Sequence, residues 1–166
     1  LGDTAGAVRI FRQSLAIQRL LGDVKGQADT LNNLGRLYKQ QGKYREALDS
    51  LTSALRTFER FGNPAVAELK GNLGATYADA GQFGKALPLI VAATPLLSAA
   101  ENKEPFASAT VTLGDLYFVL GNLTEARKSY DNALASARSV GMRRIESRVL
   151  NNIGRVELLT GGLETS

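Results

Sequence analysis

Residues 30–48 read TLNNLGRLYKQQGKYREAL. The stretch decides the fold because it returns. Leu34-Gly35, Tyr38, Gly42 and Ala47 recur as Leu73-Gly74, Tyr77, Gly81 and Ala86, then as Leu113-Gly114, Tyr117, Gly121 and Ala126. A further copy holds Ile153-Gly154 and Gly161, with Glu157 in the tyrosine place. A partial copy at the front holds Gly2, Ala7 and Ser14, and Ala54, Ala93 and Ala133 keep the same step. Gly2, Gly42, Gly81, Gly121 and Gly161 are spaced 40, 39, 40 and 40 apart. A fixed period in this range marks a solenoid or a related array.

Each period divides into two helical segments. Apolar residues at 28, 31, 34, 37 and 38 follow helical spacing, as do those at 44, 47, 48, 51, 54, 55, 58 and 61. Gly42 supplies the left-handed residue that ends the first helix, and Gly62-Asn63 ends the second. No stretch alternates in the manner of a strand. Gly35 and Ala47 fall where two antiparallel helices would cross, and Tyr38, Leu51 and Leu55 would fill the space beside them. Such a hairpin cannot bury its apolar faces alone, so neighbours must stack. The units run 24–63, 64–102 and 103–142, with half units at 1–23 and 143–166. The last half unit reads as a first helix plus the opening of a second. Neither end carries a polar capping helix, so the chain reads as part of a longer array.

The combination Leu34-Gly35, Tyr38, Gly42, Ala47 and Ala54 with its copies resembles the tetratricopeptide repeat, in the long variant of about 40 residues seen in kinesin light chain and in bacterial multidomain proteins. The resemblance implies an all-α, right-handed solenoid of antiparallel helix hairpins. It also implies that the first helix of each unit lines a concave groove and the second lines the convex back.

Composition narrows the chemistry. Of 166 residues 44% are hydrophobic and 22% charged, which is ordinary for a globular chain. Cysteine and histidine are both absent, which removes disulfides, thiol chemistry and the commonest general base. No run of eighteen apolar residues occurs, so no transmembrane helix is expected. The net charge of +4 is spread thinly, with +3 on 24–63 and one unit or less on every other segment. Nucleic-acid binders gather basic residues on one face, so none is expected as a partner.

GKYREAL and GQFGKAL pair glycine with lysine but lack the spacing of a phosphate loop. Asn122-Leu123-Thr124 matches a glycosylation triplet by chance. Glu46, Asp49 and Glu59 stand among Arg45, Arg56 and Arg60 as a solvated helix face. No nucleophile, base and orienting group come together, so no enzyme activity, catalytic residue, metal or cofactor is expected.

Groove positions can be listed in register. One ladder is Asn33, Asn72, Thr112 and Asn152, whose amides offer donors and an acceptor to an extended peptide or, equally, to a neighbouring helix. A second is Arg36, Ala75, Asp115 and Arg155; the arginines at its ends would grip acidic groups and Asp115 would oppose them. Two more, Lys39, Ala78, Phe118, Leu158 and Gln40, Asp79, Val119, Leu159, turn from polar to apolar. Phe118, Val119, Leu158 and Leu159 either form a pocket for an apolar ligand residue or pack on a further helix.

Residues 86–100, ALPLIVAATPLLSAA, stand apart. They align with a second helix whose inward positions Ala86, Ile90, Ala93 and Leu97 are kept while its outward face has become apolar. Pro95 falls well inside that helix, whereas Pro88 suits a late helix start. Leu89, Val91 and Leu96 read as a convex contact patch, to be covered by another domain of the same protein, by a second copy in a homodimer, or by a partner.

The expected function is a non-enzymatic protein–protein interaction scaffold that takes a peptide or protein in the groove, in the cytoplasm and without membrane contact. The resemblance also admits a regulatory or sensor arm of a larger bacterial enzyme or signalling protein, such as a CHAT-type protease or a nucleotide-switch ATPase. An RNA-binding helical array is a third reading, against which the lack of a basic stripe counts.

Overall fold

The structure, a computed structural model, describes residues 4–164, with side chains to residue 161. Eight α-helices and no strand occur among them: α1 Thr4–Leu20, α2 Val24–Gln40, α3 Tyr44–Arg60, α4 Val66–Asp79, α5 Phe83–Ala99, α6 Glu104–Val119, α7 Leu123–Ser139 and α8 Arg143–Glu164. Gly2 and the residues after Glu164, which belong to the half units, lie outside the described residues.

Glycine punctuates the turns by a shared mechanism. Gly42 has φ 71°, its N–H bonds the Lys39 carbonyl, and the Lys43 N–H reaches back to Tyr38 at 2.9 Å. That six-to-one closure satisfies carbonyls the helix end leaves free. It recurs at Gly22, Gly62, Gly81, Gly121 and Gly141. The α5–α6 junction differs. Ala100 is extended, no glycine is present, and the Lys103 Nζ donates to the Ser98 carbonyl at 2.7 Å. Asn122 caps α7, its Oδ1 accepting from the Glu125 N–H, which gives that asparagine a structural role.

The hairpins α2–α3, α4–α5 and α6–α7 form the tightest pairs. A Cβ added to Gly35 would lie 2.5 Å from Leu51 Cγ, one on Gly74 2.8 Å from Ile90, and one on Gly114 2.5 Å from the Tyr130 ring. Glycine is therefore what allows each crossing. Opposite it, Ala47, Ala86 and Ala126 are fully buried. α1 packs on α2 much as α3 packs on α4 and α5 on α6.

Layering follows from which helices touch. α4 lies against α2 and α6, and α6 against α8, whereas α3, α5 and α7 keep their backbones apart. The crowded first helices form the inner, concave layer and the splayed second helices form the outer, convex one.

Three expectations are corrected. Pro88 does not mark a late start, because α5 begins at Phe83 and contains both prolines. They deprive the carbonyls of Gly84 and Val91 of helical donors, and both residues are exposed, so water can serve instead. Leu89 does not face outward: it is half-buried against the cluster of Leu51, Leu55 and Phe58. Finally, α8 runs on past Gly161 to Glu164. Glycine permits a left-handed turn without imposing it, and no second helix follows among the described residues to hold the reversal.

Candidate functional site

The inner layer encloses an open groove of about 740 Å³ centred on α4 and α6, with Arg36 and Lys39 of α2 at one end and Ile145 and Arg148 of α8 at the other. Helical spacing decides what lines it. Glu68, Asn72, Ala75 and Asp79 recur at three- and four-residue steps along one face of α4, and Glu104, Ser108, Thr112, Asp115 and Val119 do so on α6.

The polar groups of the groove are in three states. Lys39 Nζ pairs with Asp79 Oδ2 at 3.2 Å, tying α2 to α4. Asp115 Oδ1 accepts from Tyr130 Oη at 2.8 Å and from Asn152 Nδ2 at 2.9 Å, tying α6, α7 and α8 together. The Nδ2 of Asn72 is buried and has no hydrogen-bond partner among the described residues. A buried donor left unsatisfied costs about 1–3 kcal/mol. Thr112 spends its hydroxyl on the Ser108 carbonyl of its own helix.

The asparagine ladder is thus split by the fold. Asn72 and Thr112 line the groove, Asn152 is consumed in the bond to Asp115, and Asn33 lies off the groove wall. Arg36 lines the groove, but Arg155 stacks over the Phe118 ring at 4.6 Å and neither of the two lines it. Val119 reaches the groove, while Leu158 and Leu159 are exposed on α8 outside it. The sequence reading missed the ladder one turn earlier, where Glu68, Ser108 and Arg148 all face the groove. Its signal was the i−4 step from Asn72, Thr112 and Asn152.

Burial first, then the bond to Asp115, pushes the Tyr130 phenol above its usual range. The exposed Arg127 is likewise raised, through its hydrogen bonds with Glu157 and Asp131. Both shifts hold the proton more tightly, so neither group is poised for proton transfer near neutral pH. Among the described residues, no three metal-ligating side chains of the His, Cys, Asp or Glu type gather, and no helix is long and apolar enough to cross a membrane.

Two models of the tetratricopeptide repeat family match the sequence, one over residues 1–60 and 105–165 and the other over 32–102. The chain belongs to the tetratricopeptide repeat family. No curated protein matches it by sequence. Among solved structures, it is similar to BtubC (BKLC) from P. vanneervenii, with a TM-score of 0.82 and 22% identity over 96% of this chain and 67% of that one. The first tetratricopeptide domain of human RPAP3 aligns with a TM-score of 0.66 and 24% identity, over 86% of this chain and 98% of that one. The first such repeat domain of Spaghetti (RPAP3), solved with the HSP90 peptide SRMEEVD, aligns with a TM-score of 0.64 and 23% identity over 81% and 95%. At these identities the likeness is one of fold.

Proposed function

We propose that the chain is a non-enzymatic protein-interaction scaffold that takes an extended peptide segment of a partner in its concave groove. The observation that carries the reading is the open groove along the inner layer, with Asn72 on its wall and Arg36 and Arg148 at its ends. An extended segment presents backbone N–H and carbonyl groups at every residue, which can pair with the Asn72 carboxamide whatever the peptide's side chains. Among the described residues Arg36 and Arg148, at the two ends, form no ion pair, and they would anchor carboxylates of the peptide. A structurally similar repeat domain, the first of Spaghetti (RPAP3), was solved bound to a peptide, which supports a peptide as the ligand class.

The test is a fluorescence-polarisation screen of labelled heptapeptides, degenerate in sequence, against the whole chain. Peptides selected on the native chain should lose about tenfold in affinity on Asn72→Ala, the equivalent of one hydrogen bond of about 1.4 kcal/mol. Urea stability of that variant should be unchanged or raised, because an unsatisfied donor has been removed. Equal peptide affinity for Asn72→Ala and for Arg36→Glu with Arg148→Glu would overturn the reading, as would a screen with no binders.

A further inference from the structure

α8 carries four arginines, Arg143, Arg144, Arg148 and Arg155, all exposed. Its acids up to residue 161 are Glu146 and Glu157, and α7 draws both away. Arg138 Nε meets Glu146 Oε1 at 2.8 Å, and Arg127 Nη1 meets Glu157 Oε1 at 2.6 Å. The arginines of α8 form no ion pair among the described residues.

Helical spacing sorts these arginines. Arg144, Arg148 and Arg155 are four and seven residues apart and share one face, whereas Arg143 falls off it by about 100°. They stand 40 residues after Glu104, Ser108 and Asp115, which line the groove from α6. Their face is therefore the concave one, and Arg148 itself lines the groove. The sign of charge changes between neighbouring helices: Glu68 on α4 and Glu104 and Asp115 on α6 give way to three arginines on α8. Arg155 stands over the Phe118 ring at 4.6 Å, so its side chain has less freedom to lose on binding. The stripe is hidden in the sequence, because Glu146, Glu157 and Glu164 offset three of the four arginines.

We propose that the concave face of α8 binds an acidic stretch of the partner, an extended run of carboxylates without basic residues. The proposal rests on the reading of the groove as a peptide site and names the chemistry that one wall of it selects. Charge complementarity chooses the occupant. The stripe from Arg144 to Arg155 is about 16 Å long, which an extended chain covers in about five residues. Glutamate at every second residue places up to three carboxylates along it, in either chain direction. A nucleic acid fits less well. Its phosphates would continue past the stripe onto the acids of α6, and three cations give little affinity for a polyanion at physiological salt.

The test is fluorescence polarisation on the whole chain with labelled nonapeptides that alternate alanine with glutamate, glutamine or lysine. The glutamate probe should bind about twentyfold more tightly than the glutamine probe, and the lysine probe should not bind. Raising the ionic strength should weaken the glutamate probe and leave the glutamine probe unchanged. Arg144→Glu, at an exposed position, should keep native helicity and weaken the glutamate probe about fivefold. Arg143→Glu makes the same change of net charge off the face and should weaken it less than about twofold. Equal losses in the two variants would assign the effect to net charge and overturn the proposal. Glutamate and glutamine probes of equal affinity would overturn it too, while peptides selected in the degenerate screen would still uphold the groove as a peptide site. A single-stranded oligothymidylate that binds more tightly than the glutamate probe, and is lost in Arg144→Glu, would give the stripe to nucleic acid and overturn the acidic peptide.

Discussion

Gly35 and Gly154 occupy the same position of the repeat, yet their replacement by alanine should move stability in opposite directions. Both sit within helices, where glycine is less favourable than alanine by about 0.5–1 kcal/mol. At Gly154 a new Cβ meets nothing within 4 Å, since no second helix crosses it among the described residues. Gly154→Ala should therefore stabilise the 166-residue chain by that amount, about 0.5–1 kcal/mol. At Gly35 the same methyl lies 2.5 Å from Leu51 Cγ, 2.7 Å from its Cδ2 and 3.3 Å from the Ala47 carbonyl oxygen. Carbon atoms rest about 3.5–4.0 Å apart, so α2 and α3 must separate by about 1 Å. Leu51 is fully buried and has no room to turn away. Overpacking of this kind costs about 1–3 kcal/mol, and contact on backbone as well as side chain places Gly35 at the upper end. Less the helix-propensity gain, Gly35→Ala should destabilise by about 2 kcal/mol, leaving the two variants about 3 kcal/mol apart. Gly71 supplies the control for burial. It too is buried, but its Cβ would sit 3.7 Å from Leu97 and 3.9 Å from Ala109, at ordinary contact. Gly71→Ala should stabilise. Urea unfolding followed by far-UV circular dichroism measures all three at constant m-value. Should Gly154→Ala lower the midpoint as Gly35→Ala does, the crossing helix is not what requires glycine at this position. A neutral Gly35→Ala would refute the packing argument outright.

Tyr130 gives a pH signature. Its phenol titrates near 10 in the unfolded chain and higher in the folded one. The stabilisation is then fully present below about pH 10 and is lost as pH rises beyond it. The urea midpoint should fall on the alkaline side of pH 10, and Tyr130→Phe should flatten that fall while costing up to about 1.5 kcal/mol at pH 7 through its lost bond to Asp115. An alkaline limb unchanged in Tyr130→Phe would assign the loss to other groups. Pro95→Ala should restore the hydrogen bond to the Val91 carbonyl and stabilise the chain by about 1–3 kcal/mol in thermal unfolding. A destabilised Pro95→Ala would mean that the ring's packing outweighs the bond it removes.

How much of this was legible in the sequence follows from how often each feature is written. The glycines and alanines of the crossings appear once per unit, so register alone exposes them. The groove side chains do not repeat. Glu68, Ser108 and Arg148 share a ladder without sharing a chemical type, so alignment of the units did not single them out. Leu89 was misplaced for a physical reason. Its counterparts are Ser50 and Ser129, whose polarity suggests an outward face, yet Ser129 is buried and Ser50 returns its hydroxyl to the Glu46 carbonyl at 2.7 Å. A serine that bonds its own helix can face inward at small cost. Tyr130 could have been found. It stands where the other units have Leu51 and Ile90, and a buried phenol needs a partner. Asp115, in the ladder of Arg36 and Ala75, is the matching departure.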